Sequence, residues 1–349
     1  MALIYLFLLI TFMHFISIGI TNMTSRSLRQ VPLLITFLLS LLLPALALAT
    51  KQQAKDYLAA ERLITHGNTT NAVRLYRQDA SQGDYVTIIP SLGRGVADYT
   101  EQYQSTLVTR LVEAGYQVIL IEPRGVGESK GELTPGQVSM EMLVDDVRLS
   151  LDAFNIKKVH MIGHAFGNRL SRTFATLYPE RIDKLVLLAA GGNFEMSAEQ
   201  KACLRGSITP TEGTEKRRAA IQCAFFAEGN SPDAWLTGWY PKLAMAQVHA
   251  ARSIDGDIFK NAGGKPFLLI QPAQDFIAPP HLAGRPIKEE LGAQVTYVEL
   301  PETGHALTSE RPDKVAEIML DYFATESSYD RQRKKPLSGS PTTRRESKR

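Results

Sequence analysis

The chain has only two cysteines and two tryptophans among its 349 residues, and no clustered His, Cys or carboxylate groups at metal-ligand spacing. That excludes a disulfide-dense miniprotein and gives no reason to expect a metal. The 18 prolines and 25 glycines are too few for a collagen-like or low-complexity chain. Net charge is also scarce where it would matter. The formal +3 arises at the ends, since residues 330–349 hold eight basic residues against Asp330 and Glu346 (+6), and Arg26 and Arg29 give residues 1–49 a further +2, leaving −5 for residues 50–329. An acidic body offers no electrostatic footprint for nucleic acid, which is excluded as a partner. Gly125-Val126-Gly127 lacks the rest of a dinucleotide fingerprint, so no cofactor is expected.

What is present begins with two uncharged apolar runs, residues 2–21 and 31–49, separated by the segment bearing Arg26 and Arg29. Read from Met23, this is a basic n-region, an apolar stretch from Val31 to Leu43 and an Ala47-Leu48-Ala49 cleavage site: an export signal. Read from Met1, the first run is long enough to span a bilayer and anchor the body outside the cytoplasm, the only membrane contact expected. Either way a periplasmic or secreted body is predicted. Residues 326–349, with Ser338, Gly339, Ser340 and Pro341 inside a run of positive charge, are predicted to be a disordered basic tail. In an oxidising compartment Cys203 and Cys223 are expected to pair.

Between these ends, short β-branched runs alternate with amphipathic helical patterns, predicting an α/β fold with a mostly parallel twisted sheet flanked by helices. Strands are expected at 60–66 and 71–78, joined by a Gly67-Asn68 turn, then at 85–89, 117–121, 158–162, 185–188, 266–270 and 295–300. Met140, Leu143, Val144, Val147, Leu151 and Phe154 recur on one helical face, and Pro312 to Phe323 predicts a closing helix. The stretch between the strands at 185–188 and 266–270 is too long for an ordinary crossover. It predicts an inserted helical cap over residues 193–264, with helical segments at Lys201–Leu204, Arg217–Phe226 and Trp235–Tyr240, flanked by core segments 50–192 and 265–325.

Three turns carry the chemistry. The strand ending at Ile162 runs into Gly163-His164-Ala165-Phe166-Gly167 and then a helix containing Leu170, Phe174 and Leu177, the context of a nucleophile elbow with Ala165 where serine would stand. The strand ending at Ile121 runs into Glu122-Pro123-Arg124-Gly125-Val126-Gly127-Glu128-Ser129, and the strand ending at Ile89 into Pro90-Ser91-Leu92-Gly93-Arg94-Gly95. Asp275 and Gly304-His305 follow the last two strands in the order elbow, acid, histidine. This set resembles the α/β-hydrolase superfamily, in its capped, esterase-like and epoxide-hydrolase-like forms, with Glu122 in place of the usual Asp.

The resemblance implies Asp275 and His305 as catalytic residues, Ala165 at the nucleophile position, and an oxyanion hole from the Leu92 and Phe166 N–H groups. Ser91, Arg94 and His164 are candidates for contact with substrate. Arg94 reads equally as a surface ion pair, His164 as packing beneath the site, and Arg124 as holding its own turn through backbone carbonyls; His160, His249 and His281 are read as structural. Three activities fit an elbow without an oxygen: hydrolysis of a small ester, lactone or similar carbonyl compound by a water that the Asp–His pair activates, a lyase-type reaction with His305 as base, or binding of a small ligand without catalysis.

Overall fold

Gln117–Ile121 is buried along its whole length, and the fold covers both of its faces. Val118 and Leu120 join one apolar cluster while Ile119 and Ile121 join another, as the two-residue period of a strand requires when helices pack on both sides. The computed structural model describes residues 52–79, 81–191, 194–209 and 213–325. The expected export signal and basic tail lie outside these described residues, as does the expected start of the cap at residue 193.

In chain order the main elements are β1 (Leu58–His66), β2 (Thr69–Tyr76), β3 (Tyr85–Ile89), α1 (Leu107–Glu113), β4 (Gln117–Ile121), α2 (Met140–Ala153), β5 (Val159–His164), α3 (Phe166–Leu177), β6 (Ile182–Leu188), α4 (Ala198–Ile208), α5 (Thr214–Phe225), α6 (Pro241–Ser253), β7 (Phe267–Pro272), α7 (Gly284–Leu291), β8 (Val295–Leu300) and α8 (Pro312–Ala324). The eight strands form one sheet in the order β1-β2-β4-β3-β5-β6-β7-β8. Strands β3 to β8 run parallel, and β2 is antiparallel to both β1 and β4. The chain leaves β3 toward β4 on one side and then crosses to β5 on the other. Such a reversal opens a crevice at the carboxyl ends of the strands, where ligands bind in open α/β sheets.

One face of the sheet is covered by α2 and α3, with Leu143, Val147, Leu170 and Phe174 buried against Ile119, Met161, Leu187 and Leu269. The other is covered by α1 and α8, through Leu107, Leu111, Val315 and Met319. Helix α2 starts where Ser139 Oγ accepts the Met142 N–H at 3.2 Å, an N-cap that satisfies an otherwise orphan donor. Its predicted apolar face is the buried one.

Some local expectations are corrected. Strand β5 continues through Gly163 to His164, because both remain paired to β6. Trp235–Tyr240 is not a helix: only a 3-10 turn at Asp233–Trp235 forms, and the helix begins at Pro241, which sits at the first-turn position that proline tolerates. Arg124 does not chiefly hold its own turn. It makes a bidentate pair with Asp146 on α2 at 2.7 and 2.8 Å, with one longer contact to the Glu132 carbonyl at 3.4 Å.

Leu120 is buried at the centre of the sheet. Leu120→Ala is expected to cost about 2–5 kcal/mol, read as a lowered urea midpoint. An unchanged midpoint would contradict its placement.

Candidate active site

The carboxyl ends of β3, β5, β7 and β8 bring the sequence-predicted residues to one end of the sheet. At the end of β5, a single residue separates strand from helix, and that residue is Ala165 with φ 50° and ψ −109°. A side chain with a Cβ is held there at a cost of order 1–3 kcal/mol. Its N–H donates to the Leu188 carbonyl at 3.0 Å, and its own carbonyl accepts from the Asn168 backbone and side chain. The flanking glycines are required by space. A Cβ on Gly163 would lie 2.6 Å from the Gly167 carbonyl oxygen, and one on Gly167 would lie 2.2 Å from that of Ile89. The turn therefore presses the start of α3 against the end of β3. Ala165 is half-buried between the buried His164 and Phe166.

Asp275 and His305 meet. Nδ1 of His305 lies 2.8 Å from Asp275 Oδ2. The carboxylate also takes the Ala278 N–H at 2.7 Å and the Gln271 amide at 3.4 Å, so it is the acceptor and the imidazole proton sits on Nδ1. Nε2 is left as the basic nitrogen, without a hydrogen-bond partner among the described residues. The rings of Phe225 and His164 flank the imidazole, each with its centroid 5.6 Å away.

His164 is not placed to touch a substrate. It is fully buried, and its Nε2–H donates to the backbone carbonyl of His305 at 2.9 Å, which leaves Nδ1 to accept from the Tyr99 hydroxyl at 3.3 Å. Burial, with the neighbouring His305 charge adding to it, pushes its pKa down to about 3. It is therefore a neutral strut beneath His305.

Arg94 is likewise neither a substrate anchor nor a surface ion pair. It is fully buried, bonded at 2.7 Å through Nε and Nη2 to Asp98 and through Nη1 to the Thr237 carbonyl. Its guanidinium carbon lies 4.5 Å from the ring of Trp235, 4.6 Å from Trp239 and 5.2 Å from Tyr103, within cation–π range. Arg94 thus fastens the β3 loop to residues 235–239. Gly93 extends the clamp, its N–H donating to Gln247 on α6 at 2.8 Å and its carbonyl accepting from Tyr240 at 2.9 Å. Glu122 braces the same loop from below, accepting the Val96 N–H at 3.0 Å. The N–H groups of Leu92 and Phe166 have no protein partner among the described residues, and Ser91 is buried at the end of β3.

Sequence reasoning missed Asp98, Tyr99, Gln247 and Glu310. Asp98 carried a signal in its i+4 spacing from Arg94. Gln247 carried none, because it acts on a loop distant in sequence, while Glu310 joins Gly304, six residues before it, to Ala227 and Asn230 far back in the chain. His249 and His281 are exposed. His160 is buried near the start of β5, 3.8 Å from Asp84 and 3.4 Å from Asp183. Ligand atoms of these three lie within 4.8 Å of one another, but Lys158 Nζ is 3.4 Å from Asp183 and already faces that carboxylate.

A family model described as the alpha/beta hydrolase fold matches residues 86–206. The chain has the α/β-hydrolase fold. A protein of Mycobacterium tuberculosis carrying the name non-heme bromoperoxidase is 25% identical over 268 residues, which is 72% of this chain and 98% of the relative. A 2-hydroxy-6-oxononadienedioate/2-hydroxy-6-oxononatrienedioate hydrolase of Escherichia coli K12 is 29% identical over 140 residues, 40% of this chain and 48% of that enzyme. Among solved structures, the enol-lactonase of Burkholderia xenovorans LB400 superposes with a TM-score of 0.61 at 19% identity, covering 76% of this chain and all of the lactonase, a likeness of fold. The α/β-hydrolase fold accounts for the mostly parallel eight-stranded sheet with helices on both faces.

The buried His164 sets an acid limit. Its folded-state pKa lies below the unfolded value of 6.5, so the unfolded chain binds the extra proton. Stability is complete above about pH 6.5 and falls by up to about 1.4 kcal/mol per unit as pH drops toward 3. His164→Gln, which keeps a donor for the His305 carbonyl, is expected to flatten the urea midpoint between pH 7 and 4.5; an unchanged slope would remove His164 as its source.

Proposed function

We propose that this α/β-hydrolase-fold protein is an exported hydrolase of a small ester, lactone or similar carbonyl compound, and that its nucleophile is water activated by His305. The observation that carries this reading is the 2.8 Å Asp275–His305 bond beside an elbow that keeps its strained backbone although it has no hydroxyl to present. A pure binding pocket gains little from burying such a polar pair, and an unstrained turn would serve an inert alanine better.

The steps follow from the donors and acceptors present. His305 Nε2 takes a proton from a water near the Ala165 methyl, and the hydroxide attacks the carbonyl carbon. Charge developing on the carbonyl oxygen is met by the Leu92 and Phe166 N–H groups, both without a protein partner among the described residues. The tetrahedral adduct collapses, the carbon–oxygen bond to the leaving group breaks, and His305 returns the proton to the departing oxygen. Asp275 holds the ring in the tautomer that leaves Nε2 basic. The names of the relatives, a dienedioate hydrolase and an enol-lactonase, support a small carbonyl substrate. The leader-like residues 23–49 and the cap disulfide support a body that works outside the cytoplasm.

Two expected outcomes test the mechanism. The purified protein resists a serine-directed fluorophosphonate, and His305→Ala lowers hydrolysis of a nitrophenyl acetate by about 10² or more. Labelling at Ser91 would make that serine the nucleophile, and an unaffected His305→Ala rate would leave a ligand-binding pocket. Separately, Ala165→Ser is expected to raise esterase turnover by about 10³ or more, the scale on which an intact triad depends on its serine in other hydrolases. No gain in a folded variant would mean that the oxyanion donors or the histidine are out of line with the elbow.

A further inference from the structure

The Cys203–Cys223 disulfide joins α4 to α5, with Cα atoms 5.9 Å apart. Each of these helices is also strapped to one member of the catalytic pair. On α4, Gln200 lies one turn before Cys203 and is buried. Its amide Nε2 donates to the carbonyl of Phe276, the residue after Asp275, at 2.6 Å. On α5, Phe225 lies two residues beyond Cys223 and ends the helix. Its carbonyl accepts the N–H of Ala306, the residue after His305, at 2.8 Å, and its ring rests 5.6 Å from the His305 imidazole. Glu310 locks the same junction, accepting from Gly304 N–H at 2.6 Å, Ala227 N–H at 2.8 Å and the Asn230 amide at 2.7 Å.

The covalent bridge therefore closes a ring that runs from Asp275 through Phe276, Gln200 and Cys203 to Cys223, Phe225, Ala306 and His305, and back across the 2.8 Å hydrogen bond. The bases of the two loops are already paired through Gln274 N–H to the Thr303 carbonyl at 2.9 Å. The straps from the cap act further out, where the two side chains must meet. The bridge is also accessible. Both cysteines line a groove of about 610 Å³ between α4 and α5, with Arg205 and Lys216 on its walls, cations suited to an approaching thiolate.

We propose that the Cys203–Cys223 disulfide is a brace that aligns Asp275 with His305, with Gln200 and Phe225 as positioning residues, and that its reversible reduction loosens the pair. A dithiol supplies two electrons and two protons, converting the bridge to two thiols while the reagent closes to its own disulfide. The consequence for turnover rests on the hydrolase reading above; the alignment itself does not. A hydrogen bond of this length depends on sub-ångström placement, and a displacement near 1 Å lowers catalysis by about 10²-fold.

The test is nuclear magnetic resonance of the full chain with ¹⁵N-labelled histidine, before and after dithiothreitol, with circular dichroism to monitor the fold. The oxidised protein is expected to show a slowly exchanging His305 Nδ1–H signal. On reduction this signal broadens or disappears, and reoxidation restores it. Gln200→Leu, with the bridge intact, gives the same loss and decides the matter if the reduced chain unfolds. Nitrophenyl acetate hydrolysis falls at least tenfold in kcat with little change in KM. A reduced, folded protein or a Gln200→Leu variant that keeps the oxidised signal overturns the brace. A signal that responds while no hydrolysis is found in either state upholds the brace and overturns the hydrolase.

Discussion

The site depends on the close approach of the α3 start to its neighbours, to the end of β5 at Gly163 and to the end of β3 at Gly167. With the Gly167 Cα against the Ile89 carbonyl, the chain has room for one residue between β5 and α3, and that residue is forced to positive φ. From this follow the placement of the Phe166 N–H beside the β3 loop and the projection of residue 165 out of an otherwise buried turn. Glycine at both positions is a steric requirement. The alanine between them takes the positive φ without a hydroxyl to present.

Around that turn, the site is held by buried polar groups more than by apolar packing. Arg94 and Asp98 are both removed from water, and burial raises the Asp98 pKa while the guanidinium opposes the shift. A buried pair of this kind gains little net stability over apolar residues, because desolvation offsets the attraction. Its bond to the Thr237 carbonyl and its place among Trp235, Trp239 and Tyr103 tie the β3 loop to the segment between β6 and β7 in one orientation. His164 does the same for the histidine, as Glu310 does for the turn that carries it. Breaking any one of these would leave an unpaired group in a dry environment, so the polar contacts specify a single arrangement.

The segment between β6 and β7 contacts the loops that carry Asp275 and His305. Its two disulfide-linked helices contact the residues that follow Asp275 and His305, while α6 contacts the β3 loop through Gln247. Three of the four strand ends at the site therefore receive a contact from the segment between β6 and β7. Ala165 is held from the core, by Leu188 and Asn168.

Local chemistry made much of this legible in the sequence. Apolar runs bounded by glycine and proline gave the parallel strands, the 3.6-residue period gave α2 and α8, and five turns in order gave the fold, the elbow and the acid and histidine, since each depends on residues adjacent in the chain. The partners of Arg94, Arg124 and His164 were not legible. Local expectation for Arg94 is a substrate contact or a surface ion pair, and for Arg124 the carbonyls of its own turn; the packing beneath the site expected of His164 holds, without its hydrogen bonds being foreseeable. Each is buried against a partner that folding supplies from elsewhere in the chain: the Thr237 carbonyl, Asp146, and a carbonyl 141 residues away. The sequence by itself determined the backbone path and the chemical identity of the site. Tertiary structure alone decided which polar groups became struts, because burial and long-range pairing depend on how distant segments are brought together, and no local pattern encodes that.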